Sequence, residues 1–174
     1  MRWCQLGIVM LFVIGLGSIS GEASSSTVTG FVYALSEKGD YEPLENVEIV
    51  AFRVGEGPVL KTPLRSTSGG HFSLQVPSGT PFTVVFYGDD RVPELQQLAA
   101  TAGSKMQVEI TLMTLKQFNG SHRGASAADR LQLIEGELPT DADGELASLR
   151  ALIKRLKPTA LQTPQPPINL RLVP

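Results

Sequence analysis

Few side chains here are suited to catalysis. The sequence has two histidines, His71 and His122, and they lie far apart. His71 falls on the polar side of an alternating stretch, and a zinc site takes three or four protein ligands, so a solvent-facing histidine is expected. Asp89 and Asp90 beside Arg91 follow a strand pattern, where they could hold a cation or a sugar hydroxyl, or serve as loop acids before a helix. Asp141-Ala-Asp-Gly144 begins like a calcium loop, but loop position twelve, which must be a bidentate glutamate, is Leu152. Asp141 or Asp143 therefore reads as a helix N-cap. No Gly-x-Ser-x-Gly elbow and no histidine placed as a base support a serine nucleophile. Gly69-Gly70 lacks the helix and lysine of a phosphate cradle. Asn119-Gly-Ser121 is a glycosylation sequon, relevant where the host glycosylates secreted proteins. Tyr33, Tyr41, Phe52 and Tyr87 could make a sugar-stacking surface, although strand aromatics more often pair across strands or fill a core. The expectation is a protein that is not an enzyme, with no catalytic, cofactor-binding or metal site and no cofactor.

The chain has 174 residues, of which 42% are hydrophobic and 18% charged, with a formal net charge of −2. That balance is ordinary for a globular domain. With no basic run or basic-aromatic patch, nucleic acid is excluded as an expected partner. The N-terminus is unusual. Arg2 precedes an apolar run over residues 6–16, and small residues follow, which is the pattern of a signal peptide over residues 1–23. Cleavage after Ala23 fits it, with Gly21 at minus three, and cleavage after Ser20, with Ser18 at minus three, fits almost as well. The run is shorter than the roughly 20 residues that cross a bilayer, so no stable membrane span is expected after cleavage. Cys4, the sole cysteine, precedes the apolar run, which excludes a lipoprotein anchor and leaves the exported chain without a disulfide. The protein is expected to be periplasmic or extracellular.

Elements follow from periodicity. β-Branched and aromatic residues over 27–35 predict a first strand, and 47–54 a second with Val47, Ile49 and Ala51 on one face and Val50 and Phe52 on the other. A weaker strand over 59–67 contains Pro63 and is placed at an edge. Gly69-Gly70 and Pro77-Ser-Gly79 are turns that bound a strand with Phe72, Leu74 and Val76 on one face and His71, Ser73 and Gln75 on the other. Residues 80–87 alternate again. Leu95, Leu98 and Ala99, between Pro93 and Gly103, predict a short helix over 94–102. Residues 105–115 return to alternation, with Met106, Val108, Ile110 and Leu112 inward. Six short strands with turns between them favour a β-sandwich.

Beyond residue 124 aromatics vanish and alanine, leucine and charge rise. Ser126 and Asp129 have capping-box spacing, and Ala127, Leu131, Ile134 and Leu138 form one apolar stripe. Leu146, Leu149, Ile153 and Leu156 form another, which Pro158 is expected to end. A helical hairpin over 124–157 and a Pro-rich extended tail over 158–174 are predicted.

Thr29-Gly-Phe-Val32, Pro43-Leu-Glu-Asn-Val-Glu-Ile, Thr67-Ser-Gly-Gly-His-Phe-Ser-Leu and Val76-Pro-Ser-Gly79 together resemble the carboxypeptidase regulatory-like domain, over residues 27–115. The resemblance implies a mainly β fold, a transthyretin-like (prealbumin-like) or Ig-like antiparallel sandwich of six to seven strands. Asn46 stands where that family has a small residue, and the turn there accepts left-handed backbone. Similarity to hydroxyisourate hydrolases fails, because their histidine and arginine set and C-terminal Tyr-Arg-Gly-Ser motif are missing. The function expected is an exported structural or protein-interaction module, or else a carbohydrate-binding module of the cell envelope or extracellular space. Its partner would be a protein or a glycan.

Overall fold

Alternation over residues 25–35 builds β1 (Ser25–Leu35), in which Ser26, Val28, Gly30, Val32 and Ala34 are buried and the residues between them are not. The computed structural model describes residues 25–53, 56–60, 62–88, 90–121, 126–140, 144 and 146–162. The signal peptide expected over 1–23 and residues 163–174 of the expected tail lie outside the described residues.

β1 organises the first sheet. One edge pairs antiparallel with β2 (Tyr41–Pro43) and β6 (His71–Pro77), and the other pairs in parallel with β9 (Lys105–Leu112). Gly30 lets β1 and β9 approach, since a Cβ there would sit 1.8 Å from the Val108 carbonyl oxygen. Gly70 has φ +73° in the turn before β6, and its Cβ would lie 2.5 Å from the Val32 carbonyl oxygen. The second sheet is built on β3 (Glu48–Arg53), which pairs with β7 (Pro81–Tyr87) and with the short β4 (Gly57–Pro58) and β5 (Leu64–Arg65). β8 (Glu94–Ala99) extends this sheet from β7. The fold is a transthyretin-like or Ig-like β-sandwich with six long strands and three short pieces among the described residues.

Apolar residues at alternate positions fill the space between the sheets. Val28, Val32, Phe72, Leu74, Ile110 and Leu112 of the first sheet meet Val47, Ile49, Ala51, Phe82, Val84 and Phe86 of the second. Phe72 and Phe86 cross edge-to-face with centroids 5.1 Å apart. The other face of the second sheet is covered too. Val50, Phe52, Val85 and Tyr87 pack against α1 (Leu115–Ser121), α2 (Ala127–Glu137) and α3 (Ala147–Gln162), which contribute Phe118, Leu131, Ile134, Leu149, Ile153 and Leu156. The second sheet is thus the middle of three layers, and β3 and β7 carry near-continuous apolar runs because both of their faces are buried.

Several elements differ from the sequence expectation. Residues 94–99 form β8 instead of a helix. Leu95 and Leu98 are three apart, which puts them on one side of a helix but on opposite sides of a strand. Here Leu95 packs toward the helices and Leu98 into the sandwich, so the two-sided burial of this sheet accounts for their spacing. The strand expected over 59–67 shrinks to β5, which pairs with β3. α1 was not anticipated. α3 continues through Pro158, because Ala160 extends the stripe of Leu149, Ile153 and Leu156 and is buried against the same core, while the proline faces solvent. The capping box forms as expected: the Asp129 N–H donates to Ser126 Oγ at 3.1 Å and the Ser126 N–H to Asp129 Oδ2 at 2.9 Å.

Candidate functional site

The second sheet is covered on both faces, but the outer face of the first is open among the described residues. Phe31 and Tyr33 point outward from β1 and belong to neither core. Strand register sets their neighbours: His71 lies across from Phe31 on β6 and Glu109 on β9, while Pro43 and Thr111 flank Tyr33. The rings touch in sequence. Phe31 and Tyr33 are 6.2 Å apart at 24°, the His71 ring meets Phe31 edge-on at 5.4 Å, and Tyr41 meets Tyr33 edge-on at 6.4 Å. Tyr41 is 65% exposed. Beyond Phe31 the same face turns polar, with Thr29 between Ser73 and Gln107 and Thr27 between Gln75 and Lys105. It offers four contiguous rings beside a strip of hydroxyl, amide and charged groups.

Of the four aromatics considered for sugar stacking, the structure brings together only Tyr33 and Tyr41. Phe52 and Tyr87 lie under the helices, 0% and 4% exposed. Phe31 belongs to the patch and was missed by the sequence reading, although its odd position in the β1 alternation, in phase with Tyr33, was the available signal.

A second feature opens between the second sheet and α3. Register places Glu48 of β3 opposite both Arg65 of β5 and Tyr87 of β7. With Asn46 and Gly88 they line one wall of a cleft of about 420 Å³, and Ser148, Ala151, Leu152 and Arg155 of α3 line the other. Arg65 donates to the Glu48 carboxylate at 2.6 Å. The Tyr87 hydroxyl stands near this carboxylate but closes no hydrogen bond of ordinary geometry. Burial first, and the Glu48 carboxylate next, push its pKa well above the ordinary tyrosine value, so it remains a donor.

The other candidates separate. His122, Asp89, Asp141 and Asp143 lie outside the described residues. Asp90 has φ 55° and stands 3.5 Å from Arg155, and Arg91 donates to the Leu112 carbonyl at 3.1 Å. Asn119 of the sequon is buried in α1, where its Oδ1 accepts from the Ala127 N–H at 2.9 Å. The Nδ2 atom a glycan would take is itself buried. Among the described residues no three of His, Cys, Asp and Glu converge as metal ligands, and no helix is long and apolar enough to cross a membrane.

No family model matches the sequence, and no curated protein matches it. Among solved structures, the chain is similar to the minor pilin of Streptococcus agalactiae, with 11% identity over 52% of this chain and 45% of that chain and a TM-score of 0.45. It is similar to 3-chlorocatechol 1,2-dioxygenase from Rhodococcus opacus 1CP, with 12% identity over 53% of this chain and 60% of that chain and a TM-score of 0.40. It is also similar to a Pseudomonas aeruginosa protein with a provisional carbohydrate-binding assignment, with 12% identity over 51% of this chain and 89% of that chain and a TM-score of 0.37. The chain thus spans about half the length of the first two.

Proposed function

We propose that the protein is an exported, non-enzymatic binding module built on a carboxypeptidase regulatory-like sandwich, and that it holds a protein partner on the open face of the first sheet. The observation that carries this is the contiguous patch of Phe31, Tyr33, Tyr41 and His71 on an outer sheet face that turns polar beyond Phe31. Aromatic residues concentrate at the anchoring centres of protein interfaces, where they bury large area at low cost in side-chain entropy. Export is supported by the charged, apolar and small-residue order of residues 1–23. The non-enzymatic reading is supported by the scarcity of catalytic side chains in the sequence, and by a His71 that leans on Phe31.

A glycan is the second reading. It is favoured by the exposure of Tyr41 and by the hydroxyl and amide strip of Thr29, Ser73, Gln75 and Gln107 next to the rings. One experiment separates the two: capture from the exported fraction of the source cells by the wild-type chain and by a Tyr33→Ser, Tyr41→Ser variant, with both applied in parallel to a glycan array. A protein retained by the wild type and lost by the variant, with a blank array, supports the first reading. An array signal that the variant loses makes the ligand a glycan. Equal capture by both proteins removes this face from consideration.

A further inference from the structure

We propose that a second copy of this chain joins the outer edge of β9, antiparallel about a two-fold axis at Gln107, and so doubles the four-stranded first sheet. Among the described residues β9 pairs along its length with β1 alone. The ladder fixes which of its backbone groups are already bonded. The Thr27 N–H donates to the Ser104 carbonyl at 3.0 Å, so in this parallel register the peptide groups of Met106, Val108 and Ile110 serve β1. Those of Lys105, Gln107, Glu109 and Thr111 point away from it. Met113, in the same phase, shows this edge in use, because its carbonyl accepts from the Val92 N–H at 2.8 Å. That contact closes the end of the edge and leaves residues 105–111 without a second strand among the described residues.

A row of unpaired peptide groups is a template for another strand, and a two-fold axis makes the added strand antiparallel. The Gln107 N–H and carbonyl both face the edge, so the two copies of Gln107 form a hydrogen-bonded pair at the axis. Lys105 and Glu109 lie two positions to either side of Gln107. Each Lys105 therefore stands opposite the second copy's Glu109, once on each side of the axis. All three side chains are exposed, and opposite charges that face each other across a ladder stabilise it. Charge also selects the register. An axis at Lys105 or at Glu109 sets like charges face to face, and one at Met106 or Val108 leaves neither charge opposite its complement. On the inner side Met106 meets Val108 of the second copy. Both pack against the core between the sheets yet stay partly exposed, and the pairing covers them. The other long edge strands lack this symmetry: β6 has no acid, lysine or arginine, and Glu94 is the one charged residue of β8. The edge is distinct from the aromatic patch on the open face, although pairing places two such patches on one continuous sheet.

The test is sedimentation of the full chain from about 1 μM to about 1 mM, with carbodiimide cross-linking of a mixture of isotope-labelled and unlabelled protein read by mass spectrometry. A dimer that dissociates within this range is expected, with Lys105 of one copy joined to Glu109 of the other. Lys105→Glu and Glu109→Lys each set like charges across the axis twice, and each should weaken association at least about tenfold. Mixed together, the two variants restore opposite charges at both places and should associate as tightly as wild type. The Tyr33→Ser, Tyr41→Ser variant should dimerise like wild type, whatever the open face binds. A monomer throughout the range, no cross-link between labelled and unlabelled copies, wild-type association of both charge variants, a mixture that stays monomeric, or loss of the dimer in the open-face variant would each overturn the proposal.

Discussion

The His71 imidazole meets the Phe31 ring edge-on, 5.4 Å between centroids at 70°, across the β1–β6 register. Its contact is aromatic, and it lies on the solvent side of the sheet. His71→Ala should therefore cost at most about 1 kcal/mol in chemical denaturation, the scale of an exposed aromatic pair. The same variant should weaken partner capture. A loss of several kcal/mol would instead make His71 a structural residue.

Phe52 links the middle sheet to the helical layer. It is 0% exposed in the core that includes Leu131, Ile134 and Ile153. Phe52→Ala should destabilise the protein by about 3–5 kcal/mol through lost burial and the cavity left behind, measured by urea unfolding. Removing residues 122–174 would bare Val50, Phe52 and Val85 together. The shortened chain should melt at lower temperature and bind a hydrophobic dye, and an unchanged melting temperature would contradict the three-layer packing.

Two glycines should respond differently. Gly30→Ala drives a Cβ to 1.8 Å from the Val108 carbonyl oxygen in the middle of the β1–β9 ladder, so little folded protein is expected. Gly79→Ala meets no atom within 4 Å and strains only its φ of +95°. Its cost should be about 1–2 kcal/mol, and thermal melts of the two variants check the contrast.

The start of α2 should sense acid. The Ser126 N–H, and then its hydroxyl, bond to the Asp129 carboxylate and hold its pKa below the ordinary 3.8. A carboxyl with a lowered folded pKa contributes fully above the unfolded value and loses its contribution as pH falls through the folded one. The stability gap between wild type and Asp129→Ala should stay constant between about pH 5 and 7 and close below 3.8. Ser126→Ala should cost about 1 kcal/mol near neutral pH. A gap that persists at low pH would mean the carboxylate does not support the cap.

The legible elements were those whose alternation faces a single core. Val28, Val32 and Ala34 mark β1, and Phe72, Leu74 and Val76 mark β6, because one side of each strand is buried and the other is not. β8 was misread because its two leucines serve two different cores, which erases the period-two signal. α3 outran Pro158 because its buried stripe continues to Ala160 on the far side of the proline, which reading proline as a stop does not reveal. The open face was half legible, as Tyr33 and Tyr41 were named without Phe31. The cleft was not legible, since Glu48, Arg65, Tyr87 and Arg155 meet only through the pairing of β3, β5 and β7 and the placement of α3 over them.

The parallel pairing of β1 with β9 also decides how the sandwich bears force. Every register pair from Thr27↔Lys105 to Ala34↔Leu112 runs in one direction, so tension that enters at the start of β1 and leaves at the end of β9 pulls the two strands lengthwise past each other. The ladder is then loaded in shear, with its hydrogen bonds sharing the load, instead of being unzipped one at a time from an end. Among the described strand pairs only this one is parallel. A module tethered at both ends would therefore hold its shape under tension through the clasp between its first strand and its last.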